Sequence, residues 1–401
     1  MKQKQLVGND IEISDKFSSI IRKLFIVGGI FSAISFIIFF SDSHVSHYFY
    51  FSYLTTYMFF LTLTLGAIFI VLLQHITCAG WSVVVRRVPE VLMKNIPLMF
   101  ILFIPIVFGM HDLYHWTHLD AVAEDHLLQV KRPWLNQFFF FIRIIFYFFI
   151  WSWISKNFFK RSILQDETGD HQITLDMERS SSYSMILFAL TITFAAIDLV
   201  MSLTPHWYST IFGVYIFSGS VLIAYCFTSL LYMYLRKQNY LKDIVTVEHY
   251  HDLGKLIYGF NIFWSYIAFC QFFLIWYASV PEETEFYLKH FEGSWTYVTI
   301  LLCVGHFGIP FVFFISRWLK RNLKYHACMV IWICFMHFVD LYWIIIPTVA
   351  PNGIDIHFVD ITLFVGIACL YLGVFFKNLN KVCLIPKKDP RLSESLNFIN
   401  Y

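Results

Sequence analysis

Charged residues are scarce in this sequence. Asp, Glu, Lys and Arg make up 14% of the 401 residues, whereas 58% are hydrophobic and 20% are aromatic. A soluble globular domain is about one-quarter charged, so this chain has too little polar surface to face water on all sides. The scarcity of charge excludes an ordinary soluble domain and indicates a polytopic membrane protein.

Ligand motifs built on cysteine are missing as well. None of the eight cysteines belongs to a CxxC or CxxCH motif, which argues against covalent haem, an iron–sulfur cluster and a zinc ribbon. Buried apolar thiols are the ordinary interpretation. The net charge of +2 does not indicate nucleic-acid binding either. We therefore expect no cofactor bound by this chain and no nucleic-acid partner.

Long hydrophilic segments are also absent. The longest predicted loops are 112–136 and 156–182, and neither could hold a soluble catalytic domain. The first apolar run begins only near residue 24, which is late for a cleavable signal and predicts a helix that stays in the membrane. Any chemistry would take place in the membrane, at its surface or on a partner chain.

What the sequence does contain is ten apolar runs of the length that a spanning helix needs, about 20 residues. They cover residues 24–41, 48–73, 95–111, 137–155, 183–203, 207–235, 255–280, 295–316, 327–347 and 357–376. With the N-terminus placed in the cytoplasm, the outside loops hold only three basic residues, Lys131, Arg132 and Lys289. By the positive-inside rule this predicts ten transmembrane helices with both termini cytoplasmic.

Two stretches of the chain repeat each other. IDLVMSLTP at 197–205 resembles VDLYWIIIP at 339–347, and ISKNFFKRS at 154–162 resembles ISRWLKRN at 315–322. Both pairs run in the same direction through the membrane, so the repeat is parallel. We predict an all-α protein with two parallel-related four-helix bundles and two flanking helices. The first bundle covers about 48–203 and the second about 207–347; segments 1–23 and 377–401 lie at the cytoplasmic side.

An aspartate occupies the same place in each repeat, within an apolar run. Asp198 and Asp340 are functional candidates because a carboxylate in hydrocarbon is costly, although buried polar ties between helices would explain them too. Arg143 lies at a depth that allows an ion pair with Asp198. His337 shares a helix face with Asp340, and His306 reaches a similar depth. A His–Asp proton relay is favoured; a histidine pair holding b-type haem is the weaker alternative.

Polar clusters flank the membrane on both sides. HDLYHWTHLDAVAEDH at 111–126 would place His111, His115 and His118 on one side of a helix, which fits zinc, a docking surface or the outer mouth of a proton path. On the inner side, EHYHDLGK at 248–255 contains His249 and Asp252. An interfacial turn and a vestibule for proton uptake both fit that segment.

Several ordered segments resemble a known family. They are KRPWLN at 131–136, TPHWYSTIFGVYIFSG at 204–219, SVPEETEFY at 279–287, GHFGIPFVFFISRWLKR at 305–321 and WICFMHFVDLYWIIIP at 332–347. These segments are similar to the ActF-type membrane subunit of bacterial Alternative Complex III, within the wider NrfD/PsrC-like group. The resemblance extends from about residue 20 to 380.

The resemblance implies a membrane subunit of a quinol:cytochrome c or oxidase oxidoreductase in the bacterial inner membrane. Its expected partners are a sister NrfD-like subunit, a periplasmic iron–sulfur protein, cytochrome c subunits carrying haem c, lipids and a terminal oxidase. It assigns proton conduction to residues in family-like stretches, namely His111, Asp112, Lys131, Arg143, Asp198, His306, His337 and Asp340. His249 and Asp252 complete the predicted pathway, and a quinone pocket is a further expectation. The alternative is a proton-coupled secondary transporter.

Overall fold

The computed structural model describes residues 16–41 and 43–400. Every regular element in these ranges is helical, and no strand occurs in them. The predicted N-terminal segment lies outside the described residues as far as residue 15.

Ten helices are long and apolar enough to cross a membrane, which confirms the predicted number and is what a multi-pass membrane protein requires. They are α1 (Phe17–Phe40), α2 (Ser46–Ile76), α3 (Val83–Phe108), α4 (Gln137–Thr168), α5 (His171–Leu203), α6 (Phe212–Lys237), α7 (Val247–Ala278), α8 (Trp295–Ile315), α9 (Leu323–Thr348) and α10 (Phe358–Leu379). Short helices connect some of them, including Pro281–His290, called here the far-end helix.

Two predicted non-helical segments are wrong. The expected loop 156–182 belongs to α4 and α5, which are separated only by Gly169, in a left-handed conformation (φ 73°), and Asp170, which caps α5. The expected interfacial turn 248–255 forms the first turns of α7. These segments are polar enough to leave the membrane. Polarity alone does not end a helix, however, because a helix ends where capping groups satisfy its terminal backbone groups.

The start of α3 is a third correction. This helix begins at Val83, about three turns before the predicted 95, and includes Arg86, Arg87 and Glu90. All three side chains are buried, because they pair with one another and with acids on other elements. Paired charges can be buried where isolated ones cannot.

α2 and α6 form the centre of the molecule. α2 packs along α6 and also contacts α3, α5, α9 and α10, while α6 contacts α5, α7 and α9. α4 packs on α5, α8 packs on α7, and α1 lies along α10 at the periphery. Few side chains on α1 are buried, as expected for a helix at the periphery.

Close approach of α2 and α6 depends on Gly66. A β-carbon at this position would overlap the Ser220 carbonyl group on α6 and lie 2.7 Å from the Ala224 β-carbon. We predict that Gly66→Ala lowers the stability of the protein by about 1–3 kcal/mol, the usual range for overpacking. Thermal unfolding in detergent measures it. Gly259→Ala on α7 is the control, since a β-carbon there meets nothing within 4 Å; equal melting temperatures for both variants would contradict the prediction.

The residues after α10 fold back onto the helices. Leu384 and Ile385 are buried, Asp389 pairs with Arg86 of α3, and Ser395 accepts a hydrogen bond from the Val84 amide. We call residues 381–400 the tail, the helix ends that it covers the tail end, and the opposite ends the far end. The tail therefore belongs to the folded structure.

Candidate functional site

Asp198, on α5, is completely buried, and each of its two carboxylate oxygens accepts two hydrogen bonds. Arg143 of α4 binds it through both Nε–Oδ2 (2.7 Å) and Nη2–Oδ1 (2.9 Å). The Tyr147 hydroxyl donates to Oδ2 at 2.8 Å, and the Trp134 indole donates to Oδ1 at 3.0 Å. The predicted Arg143–Asp198 pair is confirmed. Bidentate geometry and two further donors make this a fixed ion pair that ties α4 to α5.

Asp340, on α9, has quite different surroundings. It is 2% exposed and accepts a hydrogen bond from the Tyr215 hydroxyl of α6. Trp264 of α7 packs beside Tyr215, with ring centroids 5.8 Å apart, and its indole N–H has no hydrogen-bond partner. Within the described ranges no Lys or Arg forms an ion pair with Asp340. Without a fixed cation, this carboxyl group can gain and lose a proton without breaking an ion pair.

His306 lies in a one-residue widening of α8. Residues Leu302–Gly308 form a π-helical segment, because Pro310 has no N–H for the carbonyl group four residues earlier. The Asn261 amide donates to the His306 carbonyl at 2.7 Å instead. The His306 ring is fully buried against Trp264, with centroids 3.8 Å apart, and neither ring nitrogen has a hydrogen-bond partner. Such π-helical widenings often occur at functional sites.

His337 faces the centre of the molecule. Its Nε2 lies 3.0 Å from the Thr62 hydroxyl of α2, whereas its Nδ1 has no partner. Gly219 of α6 leaves room for the ring, since a β-carbon there would come within 3.2 Å of Nδ1. The predicted relay has no direct His337–Asp340 hydrogen bond, because each side chain bonds across to a different helix.

Five buried side chains thus meet among α6–α9: Tyr215, Trp264, His306, His337 and Asp340. We call them the buried polar cluster. Buried polar groups are nearly always satisfied by protein, water or ligand, and histidine and carboxyl groups exchange protons readily. The cluster has the chemistry of a proton-transfer site.

The far-end residues of the predicted pathway lie beside the first half of the chain. The segment after α3 is broken into short helices, so the single helix expected to carry the three histidines does not form. The three rings still come together: His118 lies 3.8 Å from His111 and 5.7 Å from His115 between ring centroids. The Asp112 Oδ1 atom lies 3.5 Å from Nδ1 of the exposed His47 ring. Among the described residues, no three His, Cys, Asp or Glu side chains are grouped to hold a metal.

Lys131 belongs to the connection between α3 and α4, residues 109–136, called here the far-end segment, and it contacts the α5–α6 connection. Its Nζ donates to the Pro205 carbonyl oxygen at 2.5 Å and lies over the Tyr208 ring. Partial burial lowers the pKa of Lys131. These contacts fix the segment and leave the proposed role of Lys131 in proton conduction as a prediction.

At the tail end, His249 and Asp252 contact the tail. His249 completes a capping box with Thr246, and its Nε2 lies 3.1 Å from the Ser395 carbonyl oxygen. Asp252 pairs with Lys255 at 2.8 Å and accepts a hydrogen bond from Asn400. Both residues hold the tail on α7, and neither belongs to the buried polar cluster.

An apolar cavity of about 680 Å³ lies next to the cluster. Residues from α6, α7, α8, α9 and the far-end helix line it, including Tyr215 and Trp264. Tyr215 and Trp264 thus connect the cavity wall to Asp340 and His306.

Sequence reasoning missed several residues of these sites. Tyr147 and Tyr215 each donate to one of the two aspartates, but the sequence alone does not distinguish such a buried donor from a tyrosine that anchors a helix at the membrane interface. Nor does the sequence distinguish Trp264 from an aromatic residue that faces lipid. One signal was available: Gly308 and Pro310 interrupt the eighth apolar run beside His306.

Neither a family model nor a curated protein sequence matches this chain.

Proposed function

We propose that this chain is a cofactor-free membrane subunit of a quinol-oxidising respiratory complex of the Alternative Complex III type, and that α6–α9 carry its proton pathway. The observation that supports this most is Asp340, a buried carboxyl group without a cation, bonded to Tyr215 beside a histidine whose ring nitrogens are both unpaired. The segments that resemble that family include His306, His337 and Asp340.

The contrast between the two aspartates supports a pathway through the second half of the chain. Asp198 is neutralised by Arg143, so protonating it would break a bidentate ion pair. Asp340 has only a hydroxyl donor, so its charge can change with less reorganisation. The second half of the chain is therefore the proposed conductor, and the first half is a scaffold with a fixed charge pair.

Polar side chains continue along α6–α9 on both sides of the cluster. Toward the tail end, His326 of α9 lies 3.1 Å from the Ser229 hydroxyl of α6. Toward the far end, Gln271 of α7 bonds both Ser209 and Tyr287. Such a line of groups, completed by water, would let protons move between the two ends.

The proposed setting is the bacterial inner membrane, with the tail end in the cytoplasm and the helices in two four-helix bundles flanked by α1 and α10. Partners of this chain would be a sister NrfD-like subunit and subunits that carry iron–sulfur clusters and haem c. Co-purification with such subunits supports the proposal. A chain that purifies alone and takes up a solute with protons would instead be a secondary transporter.

The test of the pathway is Asp340→Asn in the complete complex, reconstituted in vesicles. We expect proton movement coupled to quinol oxidation to fall by about a hundredfold, as for loss of a positioned acid–base group. Internal pH indicators measure the movement, and native gels verify assembly. The matched control is Asp120→Asn in the far-end segment, where the side chain is exposed. Unchanged proton movement in assembled Asp340→Asn complexes would exclude Asp340 from the pathway.

A further inference from the structure

We infer that the groove between α3 and α4 binds an anionic phospholipid, whose phosphates contact Lys94 and Lys156 at the tail end and whose acyl chains lie along the two helices. This inference goes beyond the proposed function, since it concerns neither proton movement nor partner subunits.

Lys94 and Lys156 lie where the apolar parts of α3 and α4 end. Lys94 is the last charged residue before the apolar run of α3, and Lys156 is the first charged residue after the apolar run of α4. The two helices are joined here, because the Ser155 hydroxyl donates to the Met93 carbonyl oxygen at 2.7 Å. Each lysine directly follows one of these two residues. Both lysines therefore lie at the edge of the hydrocarbon, where phospholipid headgroups begin.

Among the described residues, Lys94 and Lys156 have no acidic partner. The Lys94 ammonium group lies 5.0 Å from the centre of the Phe159 ring on α4, and the Lys156 charge is near enough to repel it. Arg86 and Arg87, earlier on α3, are by contrast paired with acids. Two neighbouring cations without a counterion attract an anionic group, and basic sites between membrane helices bind phospholipid headgroups in this way.

An exposed apolar stripe begins at each lysine and continues toward the far end. Its members recur every three or four residues, so they share one face of the helix. On α3 they are Pro97, Ile101, Ile104 and Phe108, and on α4 they are Phe149, Ile145, Ile142 and Phe138. By the helical rise, the stripe from Lys94 to Phe108 is about 21 Å long. It is longer than the roughly 15 Å of hydrocarbon in one leaflet, so it can hold a whole acyl chain.

The two stripes lie on the same side of the helix pair. α3 and α4 run in opposite directions and pack through Phe100 and Phe148, whose ring centroids are 5.2 Å apart. Ile101 and Phe149 each follow one of these contact residues, and each is turned from it by about 100° around its own helix. In antiparallel helices those two rotations point to the same side. The stripes therefore border one groove, which ends at the two lysines.

The charge and the apolar surface together define the ligand. An anionic headgroup would neutralise the lysines, whereas a zwitterionic headgroup would bring a positive charge of its own to the site. A free phosphate ion would make no use of the stripes. Cardiolipin has two phosphates and four acyl chains, so it could neutralise Lys94 and Lys156 at once and cover both stripes. It is therefore the probe of choice.

Native mass spectrometry of the full-length protein in detergent, titrated with cardiolipin, tests the inference. We expect a saturable site whose dissociation constant rises about fivefold in Lys94→Gln and in Lys156→Gln, and about twentyfold or more when both are changed. Lys94→Arg should bind cardiolipin as the unchanged protein does, because it retains the charge. The matched control is Lys324→Gln, which changes an exposed lysine at the tail end of α9, a helix that packs mainly on α2 and α6.

Two competitors test the chemistry of the ligand without any variant. Equimolar phosphatidylethanolamine and glycerol 3-phosphate should both leave cardiolipin bound, because the first has no net negative charge and the second has no acyl chains. Displacement of half the cardiolipin by either one would overturn the inference. So would equal cardiolipin affinity of the unchanged protein and a double variant that melts at the same temperature.

Discussion

Replacing Arg143 with Met is expected to destabilise the protein by about 3–5 kcal/mol, the effect of leaving a buried partner charge uncompensated. Asp198 is fully buried and would keep only the Tyr147 and Trp134 donors. Met conserves much of the side-chain volume, so the loss reports the charge pair rather than a cavity. Unfolding in detergent, followed by heat or by denaturant, measures the change.

Two controls separate the ion pair from other effects. The double variant Arg143→Met/Asp198→Asn should be more stable than Arg143→Met alone, since it leaves no unpaired buried charge. Lys289→Ala removes a half-exposed partner of Glu285 on the far-end helix and should change stability by at most about 1 kcal/mol. If Arg143→Met and Lys289→Ala have the same melting temperature, the Arg143–Asp198 pair does not stabilise the fold.

The ten helices and the Arg143–Asp198 pair could be predicted from the sequence because both depend on local signals. A run of apolar residues determines whether a segment can span a membrane, and counting residues along two neighbouring helices places both charges at one depth.

Other features depend on contacts that no local window contains. The start of α3 was placed too late because Arg86 finds its partner Asp389 near the other end of the chain. The polar start of α7 fits a turn or a vestibule by its sequence, but His249 there contacts the Ser395 carbonyl oxygen of the tail. Charged and polar residues indicate a helix boundary when their partners, distant in sequence, are not considered.

The sequence predicts part of the difference between the surroundings of Asp198 and Asp340. Aligning Ile154 with Ile315 in the repeated segments places Val304 opposite Arg143 and Gly308 opposite Tyr147. The second repeat therefore lacks a cation at the corresponding place on α8. That Tyr215 of α6 donates to Asp340 instead requires the packing of α6 on α9, which the sequence pattern does not contain.

The tail end carries the largest charge network among the described residues. Glu90 of α3 accepts hydrogen bonds from Arg86 at 3.1 Å, from Arg87 at 2.9 Å and from Ser162 of α4 at 2.8 Å. Arg86 also binds Asp389 of the tail, and Arg87 binds Asp166 of α4. Glu90 is 1% exposed. It pairs with both Arg86 and Arg87 in this buried site.

Glu90→Ala should therefore destabilise the protein by about 3–5 kcal/mol, because each arginine loses one of its two carboxylates in a buried site. It should also release the tail, since Arg86 would no longer be fixed toward Asp389. Unfolding in detergent measures the first effect, and cleavage of residues 381–400 by added protease measures the second.

Glu178→Ala is the matched control for Glu90→Ala, because Glu178 also pairs with the tail, through Arg391 at 3.1 Å, but at a site where the arginine is 30% exposed. An ion pair reached by water contributes about 0–1 kcal/mol, so this variant should keep its melting temperature and its resistance to protease. If both variants lose the tail equally, attachment depends on the number of ion pairs. If only Glu90→Ala loses it, burial of the Glu90 network is what fixes the tail to α3 and α4.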